Sequence, residues 1–262
     1  MTAGNHNADW KTILPRARKM LGTSGNRVKL IVGLLLCILA TVSILLTVSA
    51  LSLLVDFDAL YAASAVRGAL VELALVMIQT ALILLLGFPL YFGLYSVALD
   101  MRRGMPVCLS DLFVFFDSPA AYFRGMGIVF RVVGRAYPYL ILYGLSTAAY
   151  LTENDVVYGV VGLAALPLVV WGLYTTGRIF PFLTFALCNP DVPLRHTMMN
   201  AKAMTHRKTL AIFVFRMQLL WRFLLSLASV GVVTLFHVLP LTILATHEYA
   251  FALARRQAAD LD

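Results

Sequence analysis

The uncharged run of residues 30–55 is the feature that most constrains what this chain can fold into. It is longer than the roughly 20 apolar residues that a helix needs to cross a bilayer. Of the 262 residues, 61% are hydrophobic and 13% are charged, whereas soluble domains carry about 45–50% and about 25%. A soluble core of this size cannot bury so many apolar side chains. The sequence therefore predicts an all-α, polytopic membrane helical bundle.

Six transmembrane helices are predicted from the apolar runs. The spans cover about 29–55, 68–99, 125–151, 156–187, 209–227 and 232–253 of a membrane domain at 29–254, and residues 255–262 form a tail. They pair as three hairpins, and each second helix contains a proline, namely Pro89, Pro181 or Pro240. Proline kinks a helix because it has no backbone N–H and its ring clashes with the preceding turn. The similar surroundings of the three prolines favour an internal repeat, although proline is also generally common in membrane helices.

Short amphipathic segments accompany the spans. In the basic N-terminal segment 1–28, apolar residues recur at helical spacing from Trp10 to Leu21 with Lys and Arg between them. This pattern is typical of a helix lying at the membrane interface, and a disordered basic tail is the alternative. Residues 106–116 are predicted to form a second interfacial helix. The connector 189–208 is predicted to contain a third, with Asp191 as its N-cap and Pro193 in its first turn.

The distribution of Lys and Arg predicts the orientation of the bundle. Fifteen of them lie between Met1 and Lys29, in the tail and in the two segments that join successive hairpins, against Arg67 alone in the loops on the other side. Basic loops stay on the cytoplasmic side of a membrane. We therefore expect a multi-pass protein of the inner or plasma membrane with both termini in the cytoplasm and anionic headgroups at its basic face.

Several charged residues fall inside the predicted spans, where each costs at least about 2.5 kcal/mol on insertion scales. From the rise of 1.5 Å per residue, they sort into two layers, the inner one roughly 10 Å from the cytoplasmic ends. The inner layer comprises Arg131, Arg135, Arg216 and Glu248, and the outer layer comprises Glu72, Arg222 and His237.

Two interpretations of these layers are open. In the functional one, the inner arginines form an anion or headgroup pocket against Glu248. In the structural one, which we favour, the arginines extend toward the headgroups and pair with a carboxylate to fix helix packing. His247 has no second histidine one helical turn away, so a metal site is not expected and a hydrogen-bonded packing role is.

A resemblance supports the same fold. Two of the motifs that carry it are RRGMPVCLSDLF at 102–113 and NPDVPLRHTMMNAKAM at 189–204, and a third is VLPLTILATHEYAFAL at 238–253. Over roughly 29–253 the chain resembles a bacterial integral membrane family, the domain-of-unknown-function family nine-seventy-five. It departs from that pattern at His206-Arg207-Lys208, where a Lys-Gly or Gly-Asn pair is usual. The resemblance implies six spans and a membrane location, and it implies no catalytic residue.

No catalytic motif is evident in the sequence, since a phosphate-binding loop, a nucleophile elbow and a zinc-protease motif are all missing. Cys37, Cys108 and Cys188 show no metal or disulfide spacing. We expect a non-catalytic protein without cofactor or metal that acts through partner proteins or lipids of the cell envelope and binds no nucleic acid. A transporter or permease-like subunit for a small, anionic or lipid substrate is the alternative, and a lipid-modifying enzyme is the least favoured.

Overall fold

The computed structural model describes residues 8–22, 25–152, 155–206, 208–227 and 237–259, and within these ranges all regular structure is helical, without a strand. The α-helices are α1 Ala8–Gly22, α2 Asn26–Ser52, α3 Phe57–Ala63, α4 Ala65–Leu82, α5 Phe88–Arg103, α6 Pro119–Val133, α7 Tyr137–Thr152, α8 Asp155–Gly177, α9 Phe182–Cys188, α10 Leu194–Thr205, α11 Thr209–Leu227 and α12 Leu239–Ala259. The all-α prediction is confirmed for this part of the chain.

The chain divides into two compact units. The first unit is Gly25–Met126, and the second unit is Met1–Ser24 together with Gly127–Asp262. Helix α6 begins in the first unit and ends in the second. Each unit is built on apolar helices whose outer faces carry exposed large hydrophobic residues, such as Leu39 and Leu46 in the first and Leu163 and Leu166 in the second. Such faces are suited to contact with lipid.

Three helical stretches among the described residues are long and apolar enough to cross a membrane: Asn26–Ser52, Val66–Arg103 and Asp155–Cys188. Apolar helices of this length suggest insertion into a membrane. A fourth span results if Pro119–Val133 and Tyr137–Ser146 count as one, although they are bent by 68°. The six-span hairpin arrangement is therefore not confirmed, and residues 228–236, which contain the junction of the last two predicted spans, lie outside the described residues.

The bend interrupts the span predicted at 125–151. Helix α6 ends at Val133 and α7 begins at Tyr137, so a turn over 134–136 separates them. Gly134 lowers helix propensity at this point, and Pro138 in the first turn of α7 favours a helix start. Gly134 and Pro138 therefore indicate the break in the sequence, although the long apolar run around them predicted a single helix.

The three prolines predicted to kink helices each stand at the start of one. Pro89 lies in the first turn of α5, directly after the π-helical turn Ile83–Gly87. Pro181 is the N-cap of α9, after the turn at 178–180. Pro240 is the second residue of α12 and follows a π-helical pair at 237–238. A proline is tolerated in the first turn because the N–H it lacks has no helical partner there.

In the first unit, a short segment packs closely on α5. The predicted interfacial helix at 106–116 is a 3₁₀ helix, Leu109–Phe113, whose central Leu112 is buried. Gly93 of α5 lies so close that a Cβ atom there would overlap the carbonyl oxygen of Leu112. The carboxylate of Asp111 accepts the backbone N–H of Cys108 at 2.8 Å and fixes the start of the segment. Leu112 of the predicted interfacial segment is therefore covered by protein.

In the second unit, α1 packs on α12, and α7 and α8 form an antiparallel hairpin. The apolar side of α1 is buried through Ile13, Leu14, Ala17 and Leu21. The prediction of a helix in this segment is confirmed, whereas its apolar face contacts α12 of the same chain. The helix predicted in the connector is also present, but Asp191 is not its N-cap: α10 begins at Leu194 with Pro193 at the N-cap and no side-chain cap.

Candidate functional site

Arg216 on α11 binds the last turns of α8. Its Nη1 donates to the carbonyl oxygen of Leu173 at 3.0 Å and to the hydroxyl of Thr176 at 2.5 Å. Gly177 lies beside the guanidinium, where a Cβ would make an ordinary contact 3.9 Å from Nη1. A charged group in an apolar bundle is stabilised when backbone carbonyls accept its hydrogens. Arg216 thus joins α11 to the end of α8.

Arg131 and Arg135, one turn apart in the sequence, have different surroundings. The Nη1 of Arg131 donates to the carbonyl oxygen of Gly127 in its own helix at 2.9 Å. Arg135 lies in the turn between α6 and α7, and its carbonyl oxygen accepts the hydroxyl of Thr175 at 2.9 Å. The first contact is local, whereas the second ties this turn to the last part of α8.

Three cations converge near this turn: Arg135, Arg178 and Lys202. Arg178 directly follows α8, and its carbonyl oxygen accepts the hydroxyl of Thr205 at 2.7 Å. This bond fixes the end of α10, which carries Lys202, against the end of α8. Partial burial, and then the positive charges of Arg135 and Arg178, lower the pKa of Lys202. The structure therefore gathers like charges from three separate segments.

Glu248 of the inner layer lies on α12 and is buried. The cavity beside it is lined by Arg16, Lys19 and Met20 of α1. The predicted pairing of Glu248 with the arginines at 131, 135 and 216 remains a prediction. The cavity shows two basic neighbours on α1, Arg16 and Lys19, that the estimate of depth from helix rise did not include. The sequence concealed them because α1 lies more than two hundred positions from Glu248 in the chain.

Residues of the predicted outer layer belong to both units. In the first unit, the carboxylate of Glu72 accepts the hydroxyl of Tyr61 at 2.8 Å, beside a cavity that Ser49 and Gln79 also line. In the second unit, Arg222 lies half-buried near the end of α11, and His237 is half-buried just before α12. The layer itself stays a prediction.

His247 is fully buried beside Glu248, and its Nδ1 lies 3.0 Å from the hydroxyl of Thr184 on α9. The expectation of a hydrogen-bonded packing histidine is confirmed for this residue.

An aromatic group lies on the same helix α12 and on α11. The rings of Phe215 and Tyr249 stack with their centroids 4.4 Å apart, and Phe180 packs edge-on against both. This aromatic group joins α11 and α12 to the turn after α8 by contacts that aromatic pairs prefer.

Sequence reasoning missed Arg178, Thr175 and Thr205 as parts of a site. Arg178 is the first charge after the long apolar run of α8, which was a usable signal. Thr175 and Thr205 gave none, because threonine in a membrane helix commonly bonds a carbonyl of its own helix. Both are buried, and each also donates to a carbonyl of another segment.

Comparison of the chain with protein-family models, with curated proteins and with solved structures finds no match.

Proposed function

We propose that this chain is a multi-pass protein of the bacterial inner membrane with six spans and cytoplasmic termini, and that it acts without catalysis through lipids and partner proteins at its cytoplasmic face. The observation that carries the proposal is the packing of α1 on α12. The apolar side of α1 is buried against protein, while Arg16, Arg18 and Lys19 stay exposed.

The packing of α1 bears on function because a basic amphipathic helix usually binds a membrane by inserting its apolar face. Here that face is occupied within the second unit, so the helix presents a fixed basic surface to the outside. Helix α10 adds the exposed Arg195 to the same unit. A fixed surface of this charge attracts anionic headgroups or an acidic partner protein.

The orientation is tested with single cysteines in a chain whose native cysteines are replaced by serine. A cysteine at Asp58 should react with a membrane-impermeant maleimide in intact cells, and one at Arg16 should react only after the membrane is opened. Both positions are exposed, so access to the reagent reports the side of the membrane. The reverse labelling pattern would overturn the orientation.

The role of α1 is tested by native mass spectrometry of the full chain purified in its own lipids. We expect bound anionic lipid or a stoichiometric partner protein, and Arg16→Glu with Arg18→Glu should reduce its amount. Ala17→Glu, which places a charge in the buried face of α1, should reduce it as well by displacing the helix. Retention of the same bound species by both variants would contradict the proposal.

Transport is the second candidate, and the helix breaks at Pro89, Pro181 and Pro240 favour it. Broken helices near the membrane midplane form substrate sites in many transporters. Single cysteines beside Pro181 and Pro240 should then react with a water-soluble maleimide from both sides of the membrane. Labelling from one side or neither would leave the non-catalytic proposal in place.

Membership of the domain-of-unknown-function family nine-seventy-five is likewise a proposal. It is supported by the two motifs at 102–113 and 189–204 and by the third at 238–253. The proline of the third motif begins α12, and those of the first two precede the 3₁₀ helix and α10.

A further inference from the structure

One end of the α7–α8 hairpin carries a cation cluster, Arg135, Arg178 and Lys202, whose backbone is held in place by buried hydroxyls. Thr175 donates to the carbonyl of Arg135, and Thr205 donates to the carbonyl of Arg178. Both threonine side chains are buried, at 8% and 0% exposure. Since the two bonds use backbone carbonyls, they fix the positions of Arg135 and Arg178 without engaging their guanidinium groups.

The positive charges of the cation cluster have no acidic partner within the part of the chain that the structure describes. Among the described residues, no carboxylate forms an ion pair with any of its three members. The neighbouring positive charges lower the pKa of Lys202 after the effect of its partial burial. A group with several phosphate oxygens relieves such repulsion, because each oxygen accepts charge-assisted hydrogen bonds.

An apolar groove runs along α8 to the cation cluster. Its lining residues are Leu166, Pro167, Val170, Trp171 and Tyr174. Residues 166, 170 and 174 recur every four positions and share one face of the helix, and residue 178 continues that row. The Cζ of Arg178 lies 5.9 Å from the ring centroid of Tyr174, so the groove ends at the first cation of the cluster.

The aromatic residues place this end of the hairpin at headgroup depth. Trp171 and Tyr174 are 44% and 47% exposed, and Trp and Tyr concentrate where a membrane meets water. The exposed Leu163 and Leu166 lie further along α8, away from the cations. The surface therefore changes along one helix from apolar, through aromatic, to cationic, in the order of an acyl chain, its glycerol backbone and its phosphate.

We propose that the second unit binds one anionic phospholipid, with its phosphate on Arg135, Arg178 and Lys202 and an acyl chain along the groove of α8. The inference rests on the proposed function in placing this end of the hairpin at the cytoplasmic headgroups, and it adds the position and chemical class of the ligand. A free phosphate is disfavoured as occupant because it would leave the adjoining groove uncovered.

Native mass spectrometry of the full chain, titrated in a mild detergent, tests the site. The ligands are dioleoyl phosphatidylglycerol, dioleoyl phosphatidylcholine and soluble glycerol 3-phosphate. We expect one retained phosphatidylglycerol, with weaker binding of the other two. The variant R135Q/R178Q/K202Q should bind phosphatidylglycerol roughly a hundredfold more weakly, since each of the three basic residues contributes about fivefold near an anionic surface. It keeps the backbone carbonyls that Thr175 and Thr205 bond.

The matched control is R67Q/R103Q/R255Q, which removes the same charge from exposed positions outside the cation cluster and outside the basic surface of α1 and α10. It should leave the affinity for the first phosphatidylglycerol within about twofold of the original chain. An equal loss in both variants would show general electrostatic attraction and overturn the site. Equal binding of glycerol 3-phosphate and phosphatidylglycerol would overturn the role of the groove.

Photo-crosslinking of the unaltered chain gives a readout that does not depend on how the variants fold. A phosphatidylglycerol with a photoreactive acyl chain should label the peptide that contains Val170 and Tyr174. Labelling confined to other helices would overturn the proposal. Neither experiment depends on which side of the membrane the site faces. A reversed result in the cysteine labelling at 16 and 58 would therefore contradict the proposed orientation without contradicting the lipid site.

Discussion

Tyr122 donates its hydroxyl hydrogen to the carbonyl oxygen of Leu85 at 3.2 Å. Leu85 stands four residues before Pro89, so its carbonyl is the one that an ordinary residue at 89 would bond in an α-helix. In its place a π-helical turn covers Ile83–Gly87. A side chain from α6 thus compensates for the N–H that the proline lacks, as is required of broken helices in apolar surroundings.

The relationship between Tyr122 and Pro89 predicts a non-additive mutational effect. Tyr122→Phe should lower the free energy of unfolding by about 0.5–1.5 kcal/mol, the usual net value of one hydrogen bond. In a Pro89→Ala background the loss should be smaller, because the alanine N–H can bond Leu85 itself. The double-mutant cycle is measured by denaturant unfolding in detergent. Additive losses within about 0.3 kcal/mol would contradict the coupling.

Arg216 is expected to contribute more to stability than Arg131. Arg216→Met removes bonds that join α11 to Leu173 and Thr176 of α8 and should cost about 1.5–3 kcal/mol, as for hydrogen bonds to charged groups. Arg131→Met, the matched control, removes a bond to Gly127 within the same helix and should cost less. The same unfolding measurement compares them. Equal losses of unfolding free energy in the two variants would mean that the bonds to α8 stabilise the protein no more than the bond within α6.

The contact between the buried side chains of Thr184 and His247 predicts that the stability of the protein depends strongly on the hydroxyl group at position 184. Thr184→Val keeps the volume but leaves Nδ1 of His247 without this partner, so stability should fall by about 1–3 kcal/mol. Thr184→Ser restores the hydroxyl and should recover most of the loss. Thermal unfolding of the three proteins provides the measurement. A serine variant as unstable as the valine variant would refute the hydrogen-bond explanation.

Gly93 and Gly144 should respond oppositely to alanine. A Cβ at Gly93 would overlap the carbonyl of Leu112, whereas nothing lies within 4 Å of one at Gly144. Gly93→Ala is therefore expected to cost about 1–3 kcal/mol or more by displacing the 3₁₀ helix. Gly144→Ala, in an exposed part of α7, should stabilise by about 0.5–1 kcal/mol. The measurement is the unfolding free energy of each variant. A Gly93→Ala protein as stable as the original chain would show that the 3₁₀ helix can move away from α5 without cost.

Tyr61 provides a pH-dependent prediction outside the membrane spans. Its hydrogen bond to the carboxylate of Glu72, followed by desolvation and the negative charge of Glu72, raises the pKa of Tyr61. Since the folded pKa exceeds the unfolded value, this contribution to stability is complete below about pH 10 and is lost as pH rises through the folded pKa. In Glu72→Gln the pKa of Tyr61 should fall toward the ordinary value.

The Tyr61 titration is followed by NMR of ring-labelled tyrosine, with Tyr61→Phe to assign the signal. If the titration of Tyr61 were the same in the Glu72→Gln protein, the carboxylate of Glu72 would not be the cause of the raised pKa.

Part of the candidate site could be predicted from the amino-acid sequence. An arginine or glutamate inside an apolar run stands out because burying its charge is costly, and Arg131, Arg135, Arg216 and Glu248 were singled out on that ground. The partners of these residues could not be predicted in the same way. The depth argument compares distances along helices and contains no information about which helix face meets which neighbour.

The sequence by itself determined the helical, membrane-suited class of the chain and the amphipathic character of α1, and it predicted kinks at Pro89, Pro181 and Pro240, where the structure begins new helices. These properties depend on local terms: apolar length, the missing N–H of proline and helical periodicity. Only the tertiary structure decided that α12 covers the apolar face of α1, and that Arg135, Arg178 and Lys202 meet at one end of a hairpin. The physical reason is that the cation cluster joins segments 40 and 27 residues apart through buried threonine bonds, that α1 and α12 lie still further apart in the chain, and that periodicity within one segment cannot encode what packs against it.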